Sequence, residues 1–400
     1  MLSHARNQLQ AGDKNKNMTS TMTKKALLCA LAACLLAACR GDDERLVPPT
    51  ETEVQPSASP DSVVGFYLLN EGNMGSNKST LDFYDYTTGQ YRKNIYAQTN
   101  PNVVMELGDV GNDLQIYGSK LYAVINCSHF IEVMDKRNAR HIGQINIPNC
   151  RYIVFSDRYA YVSSYAGPVQ IDPKARLGYV AKVDTATLQV VAECTVGYQP
   201  DEMAVVGNKL YVANSGGYRV PNYDRTVSVI DLGTFTETKK IDVAINLHRI
   251  KADGHGNLYV SSRGDYYNVP SNLFVIDSRT DRVTDTLGIP ATEFCIDGDN
   301  LYLYSTEYSY VSKKEWSISY ALIDTRTRKV ITRNFITDGT EREIRMPYGI
   351  AVNPETKEIF VTDAKNYVTA GTLYCFTPDG RKKWSVTTGD IPAHFAFLKK

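Results

Sequence analysis

The sequence predicts an all-β fold, a seven-bladed β-propeller whose ring is closed by the C-terminal strand pairing into the first blade. Three observations predict it. A strand motif, "LYVANS" at 210, recurs as "FYLLNE" at 66, "LYAVIN" at 121, "AYVSSY" at 160, "LYVSSR" at 258, "LYLYST" at 301 and "IFVTDA" at 359. A second motif, "TVSVID" at 226, recurs as often: "TLDFYD" at 80, "FIEVMD" at 130, "YVAKVD" at 179, "NLFVID" at 272, "SYALID" at 319 and "TLYCFT" at 372. The first unit lacks the apolar segment that precedes the other copies of the first motif, and the chain ends on a spare one, "HFAFLKK" from His394. Four short strands at a period of roughly 40 to 58 residues are the signature of a propeller blade, and the missing strand and the spare one are expected to meet.

Taken in order, residues 1–21 are polar and precede a charged segment, so they read as lying upstream of the true start. "MTKKALLCALAACLLAAC", ending at Cys39, has two lysines, an apolar run too short for a convincing membrane span and small residues before the cysteine. It reads as a lipoprotein signal, with Cys39 the lipidation site and lipid the only anchor. Residues 40–62 are rich in Pro, Ser, Thr and acid and read as a flexible tether. The body is then 63–400, one closed all-β domain. No stretch beyond the signal shows helical periodicity over ten or more residues, which excludes a three-layer α/β fold.

Lys plus Arg and Asp plus Glu number 44 each, and no basic stripe stands out, which argues against nucleic acid as a partner. Five cysteines remain in the body: Cys127, Cys150, Cys194, Cys295 and Cys375. An odd number without CxxC spacing argues against a disulfide framework and a zinc site, although Cys127 and Cys150 could form one bridge. The chain has no GK[ST] phosphate loop, no GxSxG elbow and no HExxH pair. The histidines show no paired ligand spacing. The expectation is a binding protein, not an enzyme, with no metal or cofactor.

In a blade of strands a to d, the a–b and c–d turns share one face of the disc and the b–c and d–a connections the other. The a–b and c–d turns are tight here. Six b–c loops, starting at 71, 164, 215, 263, 307 and 364, are long, so one face is predicted to be a recognition surface. The chain holds 27 Tyr against 12 Phe. Tyr67, Tyr122, Tyr161, Tyr211, Tyr259 and Tyr302, with Phe360, share one strand-b position and read as packing residues. Tyr165, Tyr218, Tyr223, Tyr266, Tyr267, Tyr308, Tyr310, Trp316 and Tyr367 fall in the long loops among Asn, Ser and Gly, the mixture that adaptable binding loops use, although ring stacking that merely orders the loops would give the same composition. The d–a connections bring Asp201, Glu202, His248, Arg249, Glu293, Tyr348 and His394 toward the channel mouth on the same face, where they either bind a polar ligand or pair with one another. The predicted ligand contacts are Tyr165, Tyr218, Asn222, Tyr266, Tyr308, Tyr348 and Tyr367, with Arg249 and His394 nearer the axis.

The repeats "LYVANS…TVSVIDLGTFTETKKIDV" resemble the YncE-like propeller family across the whole body. The lipobox, the acidic cluster Asp42, Asp43, Glu44 behind Cys39 and the opening "FYLLNEGNMGSNKSTLDFYD" look more narrowly like surface lipoprotein propellers of gut Bacteroidetes, among them the BtuG-type proteins. That resemblance implies a protein displayed outward from the outer membrane, which binds cobalamin or another corrinoid as ligand and passes it to a TonB-dependent outer-membrane transporter. The strands also resemble weakly those of lactonase and quinoprotein-type propellers, but such strands encode the blade and carry no chemistry. A glycan or protein partner, or an enzyme of those types, remains the alternative.

Overall fold

A computed structural model describes residues 50–54, 61–103, 107–308 and 316–400. The signal segment with Cys39, most of the tether and Tyr310 lie outside the described residues.

Seven antiparallel sheets form the ring. Their innermost strands (a) are Pro392–Lys399 for blade 1, then Gly111–Tyr117, Cys150–Ser156, Pro200–Val206, Leu247–Ala252, Glu293–Asp297 and Pro347–Val352 for blades 2 to 7. Each touches the next, and the last touches the first. The closure expected from the sequence is present. The C-terminal strand pairs antiparallel with Val63–Asn70, with Phe66 opposite Phe397 and Leu68 opposite Phe395. One segment departs from the expectation: Glu51–Glu53, inside the predicted tether, forms a fifth, outermost strand of blade 1 against Gln90–Arg92. Its residues are polar and mostly exposed, so the backbone ladder holds it where no apolar pattern announces it. The suggested Cys127–Cys150 bridge is absent; both thiols are free, and Cys150 is buried beside the carbonyls of Ile125 and Phe130.

The b strands are continuously buried because both their faces meet a neighbouring blade, whereas the d strands alternate or face solvent. One apolar cluster fills each of the seven blade interfaces. At the seam between blades 7 and 1 it is aromatic: Phe66 lies 4.8 Å from Phe360, and Tyr84 lies 5.2 Å from Trp384.

Two repeated residues gain a physical reason. The Asp that ends strand c in six blades accepts a backbone N–H from two or three residues on (Asp85, Asp135, Asp184, Asp231, Asp277, Asp324), which locks the c–d turn tight. The strand-b tyrosines are buried, as their shared position predicts. Three of them also reach the c–d turn of the following blade: Tyr67 donates to the Lys136 carbonyl (2.8 Å), Tyr211 to Ser278 (3.1 Å) and Tyr259 to Thr325 (2.8 Å). At these three positions the ring buries and the hydroxyl staples, which explains tyrosine over phenylalanine there.

Tyr259→Phe should therefore cost about 1–2 kcal/mol in denaturant unfolding, because a buried carbonyl loses its donor. Tyr122→Phe should be nearly neutral, since the Tyr122 hydroxyl is buried without a partner among the described residues. Equal losses would remove the staple.

Candidate functional site

The upper face, where the b–c and d–a connections emerge, carries the mouth of the channel. Its side chains are aimed by a repeated backbone irregularity. In blades 1, 2, 3, 4, 5 and 7 the pairing of strands a and b slips near the top of strand a. A bulge frees backbone groups and turns side chains out of the ladder. Strand-b hydroxyls satisfy the freed groups: Ser163 accepts from Tyr152 N (3.1 Å), Ser261 from Arg249 N (3.1 Å) and Thr362 from Gly349 N (2.7 Å). Two of them donate onward to the next blade's strand a, Ser163 to the Asp201 carbonyl and Thr362 to that of Pro392. Arg151, Asp201, Glu202, His248, Arg249 and Tyr348 all sit in these slipped segments.

Three ionic groups result. Asp201, fully buried, is surrounded by Arg151 Nε (3.3 Å), His248 Nδ1 (3.2 Å), Arg263 Nη1 (3.5 Å) and the Tyr165 hydroxyl, which donates at 2.6 Å. Glu293 holds Arg249 Nε (2.6 Å) and shares Lys251 Nζ (3.5 Å) with Glu202 (2.6 Å). Across the mouth, Glu71 accepts from Tyr348 Oη (2.7 Å) and meets His394 Nε2 at 3.0 Å. Tyrosine rings lie among the cations: the Arg151 guanidinium is 4.6 Å from the Tyr165 ring, and that of Arg249 is 5.0 Å from Tyr152.

Burial alone would raise the carboxyls; at Glu202 it does so despite Lys251 and Arg249, whereas at Asp201 and Glu293 the partners win. Against that burial, the His248 hydrogen bond and the charge of Arg151 hold Asp201 well below the carboxylate range, and Arg249 and Lys251 hold Glu293 at about 2. Burial, reinforced by Arg263 and Arg249, pushes His248 well below its usual value, so it is neutral in the fold. Beneath the mouth lies a cavity of about 220 Å³, with Glu202, Arg249, Lys251 and Glu293 on one side and Ile350, Val352, Phe395 and Phe397 on the other. Among the described residues, no three metal-ligating His, Cys, Asp or Glu side chains converge.

The predicted contacts fall into three groups. Arg249, Tyr348 and His394 stand at the mouth, committed to Glu293 or Glu71. Tyr165, expected at the surface, is buried: its hydroxyl satisfies Asp201 and its ring supports Tyr218, which is half-buried at 6.2 Å. Tyr367 stacks edge-on upon Tyr348 (5.8 Å), and Tyr308 upon the exposed Trp316 (5.4 Å). Asn222 is exposed, as is Tyr266, which is held at φ +66°. Asp265 Oδ1 accepts the N–H groups of Tyr267, Asn268 and Val269 (2.8–2.9 Å), fixing that loop with both tyrosines outward. Sequence reasoning missed Glu71, Arg151, Tyr152, Lys251 and Arg263. Aligning the tops of strand a would have marked Arg151 and Tyr152, which occupy the positions of Asp201 and Glu202.

Among the described residues, nine exposed large apolar side chains lie on this face: Met74, Ile171, Leu177, Val220, Tyr266, Tyr267, Val269, Trp316 and Val368. The other four, Ile142, Val190, Val191 and Ile331, lie on outermost strands, and none on a described turn of the lower face.

The model of the DUF5074 family, a domain of unknown function, matches residues 64–389, and the chain belongs to that family. No curated protein matches it. Among solved structures it is similar to a quinoprotein alcohol dehydrogenase-like protein from Bacteroides thetaiotaomicron (13% identity, 84% of this chain and 78% of that one, TM-score 0.56). It is also similar to the hydrazine synthase of Kuenenia stuttgartiensis (16% identity, 67% and 77%, TM-score 0.53). At such identities the likeness shows the fold alone.

The neutral His248 generates a pH dependence. Its folded pKa lies below the unfolded value, so its contribution is complete above about pH 6.5 and is lost as pH falls, by up to about 1.4 kcal/mol per unit. Denaturant unfolding at pH 7.5 and 5.5 should show His248→Asn with a shallower loss than the unsubstituted protein. Equal losses would mean that His248 is not held neutral.

Proposed function

With membership of DUF5074 as the premise, we propose that this chain is a cell-surface lipoprotein, anchored through Cys39 to the outer membrane, that captures a large, ring-bearing polar ligand on its long-loop face. The finer reading is a corrinoid such as cobalamin, passed on to a TonB-dependent outer-membrane transporter. It is a binding function and not an enzymatic one.

The observation that carries the proposal is the one-sided distribution of exposed large apolar side chains. Apolar and aromatic tips on one face of a closed disc, around a polar mouth, mark an interaction surface, because scattered exposure would not respect the faces. The chemistry suits a broad disc with apolar edges and peripheral amides. Exposed tyrosines offer flat contact with few torsions to freeze, and the exposed Asn222 and Asn268 offer amide partners. Pre-ordering supports affinity, since the Asp265 turn and the stacked pairs Tyr348–Tyr367 and Tyr308–Trp316 leave little entropy to lose on binding. The absence of an enzymatic role is inferred from the mouth's ionisable groups, which among the described residues pair with one another.

Isothermal titration with cyanocobalamin is expected to give a saturable heat. The double substitution Tyr266→Ala/Tyr267→Ala is expected to weaken binding about tenfold or more, a loss of about 1.4 kcal/mol. No heat and no protection from thermal unfolding at micromolar ligand would remove the corrinoid reading.

A further inference from the structure

Six blades carry long b–c loops, but blade 2 joins strands b and c by the tight turn Asn126–His129, closed by the His129 N–H to the Asn126 carbonyl (3.1 Å). One short turn in a ring of long loops leaves a notch. It is a cavity of about 400 Å³ lined by Met74 from blade 1, Cys127 and His129 on its floor, Pro148 from the d–a connection, and Pro168 and Val169 from blade 3. We propose that this notch binds an uncharged fused heteroaromatic ring bearing a hydrogen-bond acceptor.

The walls are built. Asp109 accepts the Gly75 N–H through both carboxylate oxygens (2.9 and 3.0 Å), which fixes the loop that carries Met74. Asn149 fastens the far wall: its carbonyl accepts from Tyr165 N (3.2 Å) and its side-chain amide donates to the Gly167 carbonyl. The Asn149 side-chain oxygen accepts from Asn126.

The lining selects the ligand class. Among the described residues no Asp, Glu, Lys or Arg lines the cavity, so a charged guest would lose water without a counter-charge. Two proline rings, a valine and a thioether suit a flat apolar body, and methionine sulfur favours aromatic rings. Among the side chains of the lining, His129 keeps a donor to spare. His129 Nδ1 accepts the Asn149 N–H (3.0 Å), which places the ring proton on Nε2, and that N–H has no partner among the described residues. The Cys127 thiol, 3.5 Å from Asn126 Oδ1, completes the floor. A guest that bonds to His129 therefore has to bring the acceptor. An apolar slot with a few oriented polar groups is the usual form of a small-molecule site.

The test is saturation-transfer NMR on the whole protein with quinoline, whose ring nitrogen is an acceptor, and with indole, which lacks one. Saturation transfer to quinoline is expected, with indole binding about fivefold more weakly, the worth of one hydrogen bond. Transfer should be lost in Cys127→Trp, which fills the floor, and in Met74→Asp, which puts a charge in the exposed wall; unchanged thermal transitions would verify their folds. No transfer to quinoline at millimolar concentration, equal affinity for the two probes, or transfer that survives in both variants would overturn the proposal. The outcome is separable from the corrinoid reading. A protein that ignores cyanocobalamin but takes up quinoline keeps the cleft, and the reverse result removes the cleft alone.

Discussion

The antiparallel pairing of Pro392–Lys399 with Val63–Asn70 is the constraint on which the rest of the molecule depends. Without it, blade 1 would expose the edge of a fully apolar strand, and the aromatic seam between blades 7 and 1 would have nothing to face. With it, seven blade interfaces each hold one apolar cluster, and every strand b is covered on both sides. Closure also fixes the two faces, because the direction of each strand then decides where each connection emerges.

From that constraint the upper face acquires its chemistry. Slipped pairing at the top of strand a is tolerated because strand-b hydroxyls take up the freed backbone groups, and the slip turns charged side chains toward the axis. Asp201 then meets partners from blades 3 and 5, and Glu293 meets cations from blade 5. Buried ion pairs of this kind add little net stability, but removing one partner leaves the other uncompensated, at about 3–5 kcal/mol. The mouth is thus a rigid polar floor. Recognition is left to the loops above it.

Much of this was legible in the sequence, and the remainder was hidden for physical reasons. The seven paired motifs and the orphan strand at His394 gave the blade count and the closure, since strand burial writes itself as apolar runs. The shared strand-b tyrosines were legible as packing residues but not as staples, because their acceptors are backbone carbonyls about 65 to 70 residues away, which leave no side-chain signal. Tyr165 was misplaced because a loop position suggests exposure, whereas its burial is set by Asp201 from the next blade. Arg151, Lys251 and Arg263 escaped notice because each finds its partner across blades. Glu51–Glu53 escaped because an outermost strand held only by its ladder needs no apolar pattern.

The account comes down to a closed ring that puts its recognition chemistry on one side. Backbone hydrogen exchange followed along the whole chain, with and without cyanocobalamin, tests this most directly. The account predicts slowed exchange in the loops near 71–79, 164–178, 215–225, 263–271 and 364–369, with the c–d turns closed by Asp85, Asp135 and Asp231 unchanged. Slowing concentrated in those turns, or no slowing anywhere at saturating ligand, would contradict it.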